Sequence, residues 1–595
     1  MRRTLDFLLY DWLQVESLAG RARFAEHSRE TFDSVLDTCE RIARDKFAPF
    51  NRLVDVEEPR IDAQGRVVLP QATHDAWHAY AQSGMLAAAQ SEHWGGMNLP
   101  YVVEAAANAF FARASVSISA ALLTVGNANL LLAHGTPKQK DVFARAELEG
   151  RWSGTMCLSE PQAGSSLSDV ATRAVLDDEH DALGPRYRLT GHKMWISAGE
   201  HEITDNIVHL VLAKIPGDDG KLVPGTRGIS LFIVPKRLVD AQGRLTGERN
   251  DVVLAGLNHK CGWRGTTNTL LNFGERGGAL GYLVGKPGEG LRCMFHMMNE
   301  ARIGVGMAAT MLGMAGYEAS LAYAKLRPQG RTITGAGKDA SQPQVPIIEH
   351  ADVKRMLLAQ KAYAEGALAL QLYCARLVDE QHTGNEAASK QAALLLELLT
   401  PIAKSWPSEW CLEGNSLAIQ VHGGYGYTRD FPVEQYWRDQ RLNMIHEGTH
   451  GIQALDLLGR KVMMNGGAGL KLLATRIGAT TLRAGHIPGF AMPANALAAA
   501  LQSLGAATKA AWATGVAEEA LANATPYLQA FGHVVLAWIW LDVVLVTASR
   551  DDDAAQGQRA AMRYFFSYEL PKIGAWLAVV SSRDATCRAM KEEWF

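Results

Sequence analysis

A chain of 595 residues is longer than a single hydrophobic core normally grows, so roughly two to four domains are expected. With 48% hydrophobic and 20% charged residues and a formal net charge of −3, the composition is that of a soluble globular protein and disfavours nucleic-acid or anionic-membrane partners. Seven scattered cysteines without a CxxC pair read as reduced thiols of a cytoplasmic protein, with no disulfide framework and no metal site.

The first residues, MRRTLDFLLYDWLQVE, hold a short apolar run interrupted by Asp6 and Asp11 and lack a small-residue cleavage site, so no signal peptide is expected. Residues 1–153 read as a helical domain, with apolar residues at three- and four-residue spacing over 31–47, 71–89 and 101–132. The EHWGG segment at 92–96 is a loop whose glycines either turn the chain or edge a ligand cavity. From 154 to 284 the texture changes to β-rich runs (TRAVL, YRLTG, IVHLVLAKI, GISLFIVPK, TLLNF) separated by turns such as PGDDG and GRLTG, which predicts an inserted β-domain. Residues 285–465 return to long amphipathic helices over 291–325, 348–383 and 387–421, with an exposed loop at 327–346. Pro401 and Pro407 should bend or break the last of these. Residues 466–595 are alanine-rich and again helical, an appended fourth domain. Its most apolar stretch, FGHVVLAWIWLDVVLVTA at 531–548, carries His533 and Asp542 and is expected to be a buried contact helix, not a membrane span.

Four stretches carry polar groups suited to chemistry. In MCLSEPQAGSSLSD (156–169), the hydroxyls and amides around Ser159, Gly164, Ser165 and Ser166 suit the edge of a heterocycle or a pyrophosphate; a polar turn before a strand is the plain alternative. In GHKMWISAG (191–199), Trp195 followed by Ser197 can cover an aromatic ring while bonding its edge, or Trp195 can be core. In QVHGGYGY, Gly423, Gly424 and Gly426 let backbone amides approach a ligand closely. In HEGT, Glu447 stands beside a glycine and a hydroxyl just before a helical pattern (Ile452, Leu455, Leu458). That suits a base presented from a loop, although alone such a triplet is more often an ordinary helix start. No GxGxxG follows a strand and no GxxxxGK[ST] occurs.

The order SEPQAGS, KMWISAG, Arg327 after a long helix, QVHGGYGY and HEGT resembles the acyl-CoA dehydrogenase family over roughly residues 30–461. The fold implied is a mainly α, α+β one: an N-terminal helical domain, a middle β-domain and a C-terminal four-helix bundle, here with the appended helical domain. A finer resemblance is to the subgroup acting on 3-methylmercaptopropionyl-CoA, through DFLLYDWL, VPIIEHADVKRMLL, MMNEARIGVG and EGTHGIQALDLLGRK with its C-terminal extension.

The resemblance implies FAD held by Met156, Leu158, Ser159, Ser165, Trp195, Ser197 and Thr449, with Arg327, Gln420, Gly423 and Gly424 reaching the cofactor from a neighbouring subunit, and hence a homo-oligomer, a dimer first of all. Glu447 matches the catalytic base, and Ser165, Asn299, Arg302 and Gly448 the substrate contacts. The alternative base position, immediately before Arg302, is Ala301; Glu300 lies about 100° round a helix from it and should face elsewhere. Implied partners are an acyl-CoA of short to medium chain and an electron-transfer flavoprotein. The sequence departs from the family at His446, where tyrosine is common, at Ser166, where aspartate is common, and at Asn299, which replaces an acidic residue. His446 reads as a hydrogen-bonded pocket wall or as a group tuning Glu447. Two other readings are a long-chain dehydrogenase whose C-terminal domain meets a membrane, and a DNA-binding flavoprotein of the alkylation-response type. The basic positions Lys471, Arg476, Arg483, Arg550, Arg559 and Arg563 form no dense cluster for the latter.

Overall fold

The β-branched runs between 152 and 284 form one eight-stranded sheet in the computed structural model, which describes all residues except 119, 120, 334 and 336 and, in addition, the side chains of 121–123 and 296–299. Its strands are β1 (Trp152–Cys157), β2 (Arg173–Asp178), β3 (Arg186–Ser197), β4 (Asn206–Lys214), β5 (Ile229–Pro235), β6 (Val252–Leu257), β7 (Asn268–Phe273) and β8 (Ala279–Val284). They lie in the order β6-β7-β3-β8-β5-β4-β1. The β1–β4 pair is parallel, while β2 runs antiparallel to β3 and meets β4 at Arg173 and Lys214. That last pairing closes β2-β3-β8-β5-β4 into a ring.

Strand β4 is buried along its whole length, which is why it reads as a mainly apolar run, with only His209 polar between Ile207 and Ala213. Its side chains still alternate. Val208, Leu210 and Leu212 enter one core with Phe143, Trp152 and Leu231, while Val211 and Ala213 enter another with Phe232, Leu271 and Phe273. Each of the five expected runs is a strand. Strands β1, β6 and β8 were not anticipated, because Gly154, Gly256 and Gly281 interrupt their patterns and pairing with neighbours decides them.

Residue contacts gather the chain into two compact units, Arg29–Pro100 with Phe110–Ala301, and Met1–Ser28 with Tyr101–Ala109 and Arg302–Phe595. In the first, helices Arg29–Ile42 and Gln71–Gln82 appear as expected. The EHWGG segment is a short turn, and a side chain at Gly96 would collide with the carbonyls of Ala87 and Gln90, so this glycine turns the chain. The helical run expected over 101–132 is instead two helices, Tyr101–Ala114 and Ala121–His134. Ser115 is extended (φ −167°, ψ 109°), and the hydroxyl and β-branched residues after it favour leaving the helix.

The second unit is built on three long helices, Gly290–Leu326 (from Arg302 onward), Ala351–Thr383 and Glu386–His422. The expectation that Pro401 and Pro407 would bend or break the last is corrected as to a break, since both lie inside one continuous helix. Each proline removes a donor to the carbonyl four residues earlier. Those carbonyls find side chains instead: Thr400 Oγ1 donates to Glu397 O at 3.3 Å, and Gln371 Nε2 to Ala403 O at 2.6 Å. The 327–346 stretch has neither helix nor strand among its described residues.

Beyond 463 the chain breaks direction at Asn465, Gly466 and Gly467, all with positive φ, and continues as helices. Among the described residues one helix, Ala524–Leu545, is long and apolar enough to cross a membrane, and 83% of its apolar window is buried within the protein. Two ionisable residues within it, Asp542 and His533, are partnered. Asp542 accepts from Trp12 Nε1 (2.9 Å), Thr480 Oγ1 (2.8 Å) and Arg483 (2.5 Å), and His533 lies among Trp406, Trp410, Phe565 and Trp576 with Glu569 3.5 Å from its Nε2.

Candidate active site

In the first unit, two of the motifs meet at the ends of β1 and β3. Between Ile196–Thr269 and Lys193–Leu271, strand β3 has two residues where β7 has one, a β-bulge at Met194 and Trp195. Trp195 takes a left-handed backbone (φ 66°) and its indole is 58% exposed. The core reading of this tryptophan is thereby corrected: the bulge turns the ring out of the sheet. Met194 N donates to Ser159 O at 3.0 Å, which ties the SEPQAGS turn to the bulge. Beneath it, fully buried Lys193 donates to Leu158 O (3.0 Å) and Glu160 Oε1 (2.9 Å). Burial would push Glu160 up, but Lys193, Thr172 and the Ala171 amide overcome it and hold the carboxyl at about 2. Met156, Leu158, Ser159 and Ser197 are half-buried around this platform, and Ser165 is exposed on the turn.

In the second unit, Glu447 sits on a left-handed turn with φ 54°, followed by Gly448 at 86°. Strain of this kind in a non-glycine residue persists where the surroundings fix it. Gln453 Nε2 donates to Glu447 O at 3.1 Å, and Lys404 Nζ to Gly448 O at 2.8 Å. Thr449 caps the next helix, His450–Asp456, by accepting from Ile452 N at 3.3 Å. Burial pushes the Glu447 carboxyl up, against the pull of Lys404 and Arg302. His446 Nε2 lies 3.2 Å from Asn443 Oδ1, and burial followed by Lys404 pushes it down to about 3, so it is a neutral wall beside the base.

Arg302 is buried and ion-paired with Asp456 at 3.1 Å, while its Nε is buried with no hydrogen-bond partner. The side chain of Asn299 lies outside the described residues. Glu300 Oε2 accepts from Asn129 Nδ2 at 3.0 Å, a contact that occupies this carboxylate within the first unit. Arg327 lies 5.9 Å from the ring centre of Tyr425, which brings it to the glycine turn, and it pairs with no carboxylate among the described residues. Gln420, in the last turn of the Glu386–His422 helix, and Gly423 and Gly424 on the glycine turn are exposed. Lys404, Gln453, Lys193 and Glu160 escaped the sequence reading. The signal available for Lys404 was a lone lysine in the apolar run LLTPIAKSW.

A flavin dinucleotide asks for a flat surface with hydrogen-bonding groups at its rim and a cation for its phosphates. In the first unit, the exposed Trp195 ring with the hydroxyls of Ser159 and Ser197 near it fits the first of these demands; in the second, Arg327, with no carboxylate partner among the described residues, is a cation of the second kind.

Family models agree in chain order. Those for the N-terminal, middle and C-terminal domains of acyl-CoA dehydrogenase match residues 29–151, 155–269 and 288–463, and an acetyl-CoA dehydrogenase C-terminal-like model matches 473–591. The chain is 37% identical to 3-methylmercaptopropionyl-CoA dehydrogenase of Ruegeria pomeroyi over 89% of its own length and 87% of the relative's. It is 30% identical to a butyryl-CoA dehydrogenase of Syntrophomonas wolfei over 100% and 98%. The solved acyl-CoA dehydrogenase of Bacillus anthracis complexed with FAD superposes with a TM-score of 0.74 at 19% identity, covering 96% of this chain and 90% of that one. The chain therefore belongs to the acyl-CoA dehydrogenase family, and is an FAD-binding oxidoreductase with the fold of that family extended by a further C-terminal helical segment.

Proposed function

We propose that this enzyme dehydrogenates the α,β bond of a short- to medium-chain acyl-CoA, 3-methylmercaptopropionyl-CoA first among them, to the trans-2-enoyl-CoA, with Glu447 as the base. The observation that carries the assignment is the Glu447 turn: a carboxyl pushed up by burial, held in a left-handed backbone by Gln453 and Lys404. A thioester α-proton is only weakly acidic, and a base raised toward neutrality accepts it more readily than an ordinary carboxylate. Bound FAD supplies the acceptor for the hydride that leaves Cβ. The proton from Cα ends on a Glu447 carboxylate oxygen, and backbone N–H groups of the Glu447–Gly448 turn stabilise the negative charge that develops on the thioester oxygen.

Met156, Leu158, Ser159, Ser165, Trp195, Ser197 and Thr449 are the proposed FAD contacts of one subunit, and Arg327, Gln420, Gly423 and Gly424 those offered to a second copy. This pairing supports a homodimer. Ser165, Asn299, Arg302 and Gly448 are the proposed substrate contacts; the unpartnered Nε of Arg302 is the feature that supports its inclusion. The reading extends to four domains (1–153, 154–284, 285–465, 466–595), a cytoplasmic location, electron-transfer flavoprotein as the electron acceptor and a place in dimethylsulfoniopropionate degradation. A second substrate, butyryl-CoA, is favoured by the relative of that activity, which aligns over the whole of this chain.

The test is anaerobic titration of the yellow enzyme with 3-methylmercaptopropionyl-CoA, butyryl-CoA and a long-chain acyl-CoA, read as bleaching of the flavin band. Glu447→Gln should keep the FAD spectrum and acyl-CoA binding yet lose turnover by about four orders of magnitude, the scale of removing a positioned general base. Bleaching at an undiminished rate in that variant would sink the assignment.

A further inference from the structure

Lys404 sits in the middle of the Glu386–His422 helix with none of its surface exposed. An ammonium group so placed carries a large desolvation cost and is retained only where its charge or its hydrogen bonds are used. Its Nζ donates to Gly448 O at 2.8 Å, one residue after the proposed base. The other carbonyl of the turn, Glu447 O, is held by Gln453. Both carbonyls of a strained two-residue turn are thus tied to the helices on either side, and only one of the two ties carries charge.

The charged and titratable groups acting on Lys404 are Glu447, Arg302 and His446. Arg302 is ion-paired with Asp456, which it shares with Arg460 at 2.8 Å, and it still acts on both Lys404 and Glu447. His446 is neutral. Among the described residues Lys404 forms no salt bridge of its own, so the anion it complements is Glu447. Burial pushes Lys404 down to about 7, with Glu447 pulling it up and Arg302 pressing it down, so it is cationic through the acid range in which a carboxylate base titrates.

We propose that Lys404 is a positioning residue for the base: its ammonium group, bonded to Gly448 O, fixes the left-handed turn that presents Glu447 and supplies the positive charge that keeps Glu447 ionised in its buried setting. The inference rests on the reading of Glu447 as the base. A purely structural tie would need only a donor. A charge would be felt by Glu447 wherever that carboxyl titrates.

The two roles separate in a pH profile. Holoenzymes of wild type, Lys404→Gln, Lys404→Met, Lys404→Arg and Glu447→Gln are compared for kcat and KM against pH with butyryl-CoA, with flavin absorbance as the check on folding. Lys404→Gln keeps a donor and drops the charge; its acid limb should move to higher pH by about one unit, because the carboxylate loses the cation that acts on it most strongly. Lys404→Met should show the same shift together with a fall in kcat of about 10- to 100-fold, the scale of one charge-assisted hydrogen bond. Lys404→Arg should return the limb toward wild type. If the methionine variant fails to hold FAD, the glutamine variant decides. An acid limb unmoved in Lys404→Gln, beside an inactive Glu447→Gln, overturns the role of Lys404 alone. An active Glu447→Gln removes the base itself, and with it this inference.

Discussion

Glu147 carries a carboxyl with no exposed surface, and no charged partner offsets its burial. The neighbouring Asn127 amide is shared, since its Nδ2 also donates to Thr155 O at 3.1 Å and Val208 O at 3.0 Å. Gly154 is glycine because a side chain there would collide with Glu147 and Asn127. Burial pushes the Glu147 carboxyl well above the ordinary range, so it folds protonated. A group whose folded pKa is raised favours the fold below the unfolded pKa and loses that stability as pH climbs toward the folded pKa. Glu147→Gln cannot ionise in either state. Its melting temperature relative to wild type should therefore rise with pH from about 4 upward, where unfolded carboxylates begin to ionise. Parallel melting curves at every pH would show that Glu147 finds a partner. Neither this carboxyl nor Lys404 announces itself in sequence: Glu147 is one of several charged letters in FARAELEGR, and Lys404 a lone one in an apolar run. Glu447 and Trp195 were legible because glycine, hydroxyl and aromatic neighbours accompany them locally.

At the scale of elements, the Glu386–His422 helix shows how a local rule fails. Two prolines predict a bend or a break, and the backbone donors they lack are indeed missing. What rescues the helix is Gln371, from the neighbouring Ala351–Thr383 helix, donating to the carbonyl that Pro407 leaves open. Gly306 permits the close approach, since a side chain there would meet Ala403 O and Gln371. Gln371→Leu should leave Ala403 O buried without a donor and cost about 1–3 kcal/mol. The measurement is the urea midpoint, with amide exchange expected to speed up first around 403–407. Because Lys404 lies in that same turn, turnover should fall as well. A variant with unchanged midpoint and exchange would mean that the helix is held by packing alone. The bulge in β3 is a comparable case: KMWISAG names an aromatic beside a hydroxyl, but only its register against β7 turns Trp195 outward.

Across the second unit as a whole, Asp542 gathers three segments remote in sequence: Trp12 near the start, Thr480 and Arg483 after the 465–467 break, and its own helix near the end. Arg550 adds a link to Asp11 at 3.2 Å. Of the basic side chains singled out in the C-terminal segment, Arg483, Arg550 and Arg559 are engaged in ion pairs. Asp542→Ala should strip acceptors from three donors at once and lower stability by about 2–4 kcal/mol, read as a drop in melting temperature with the flavin still bound below the transition. An unchanged melting temperature would mean these segments are joined chiefly by apolar packing around Ala524–Leu545.

The sequence alone determined the helical and β segments, the order of motifs and the residue types of the site, because periodicity, turn chemistry and glycine placement act over a few residues and are written there. It could not determine that two prolines would be tolerated, that β1, β6 and β8 would be strands, that Trp195 would face outward, or that a lysine in the proline-bearing helix would reach the turn of the base. Each of these depends on a donor, a register or a charge contributed from far along the chain, and only the folded structure brings those groups within hydrogen-bonding distance.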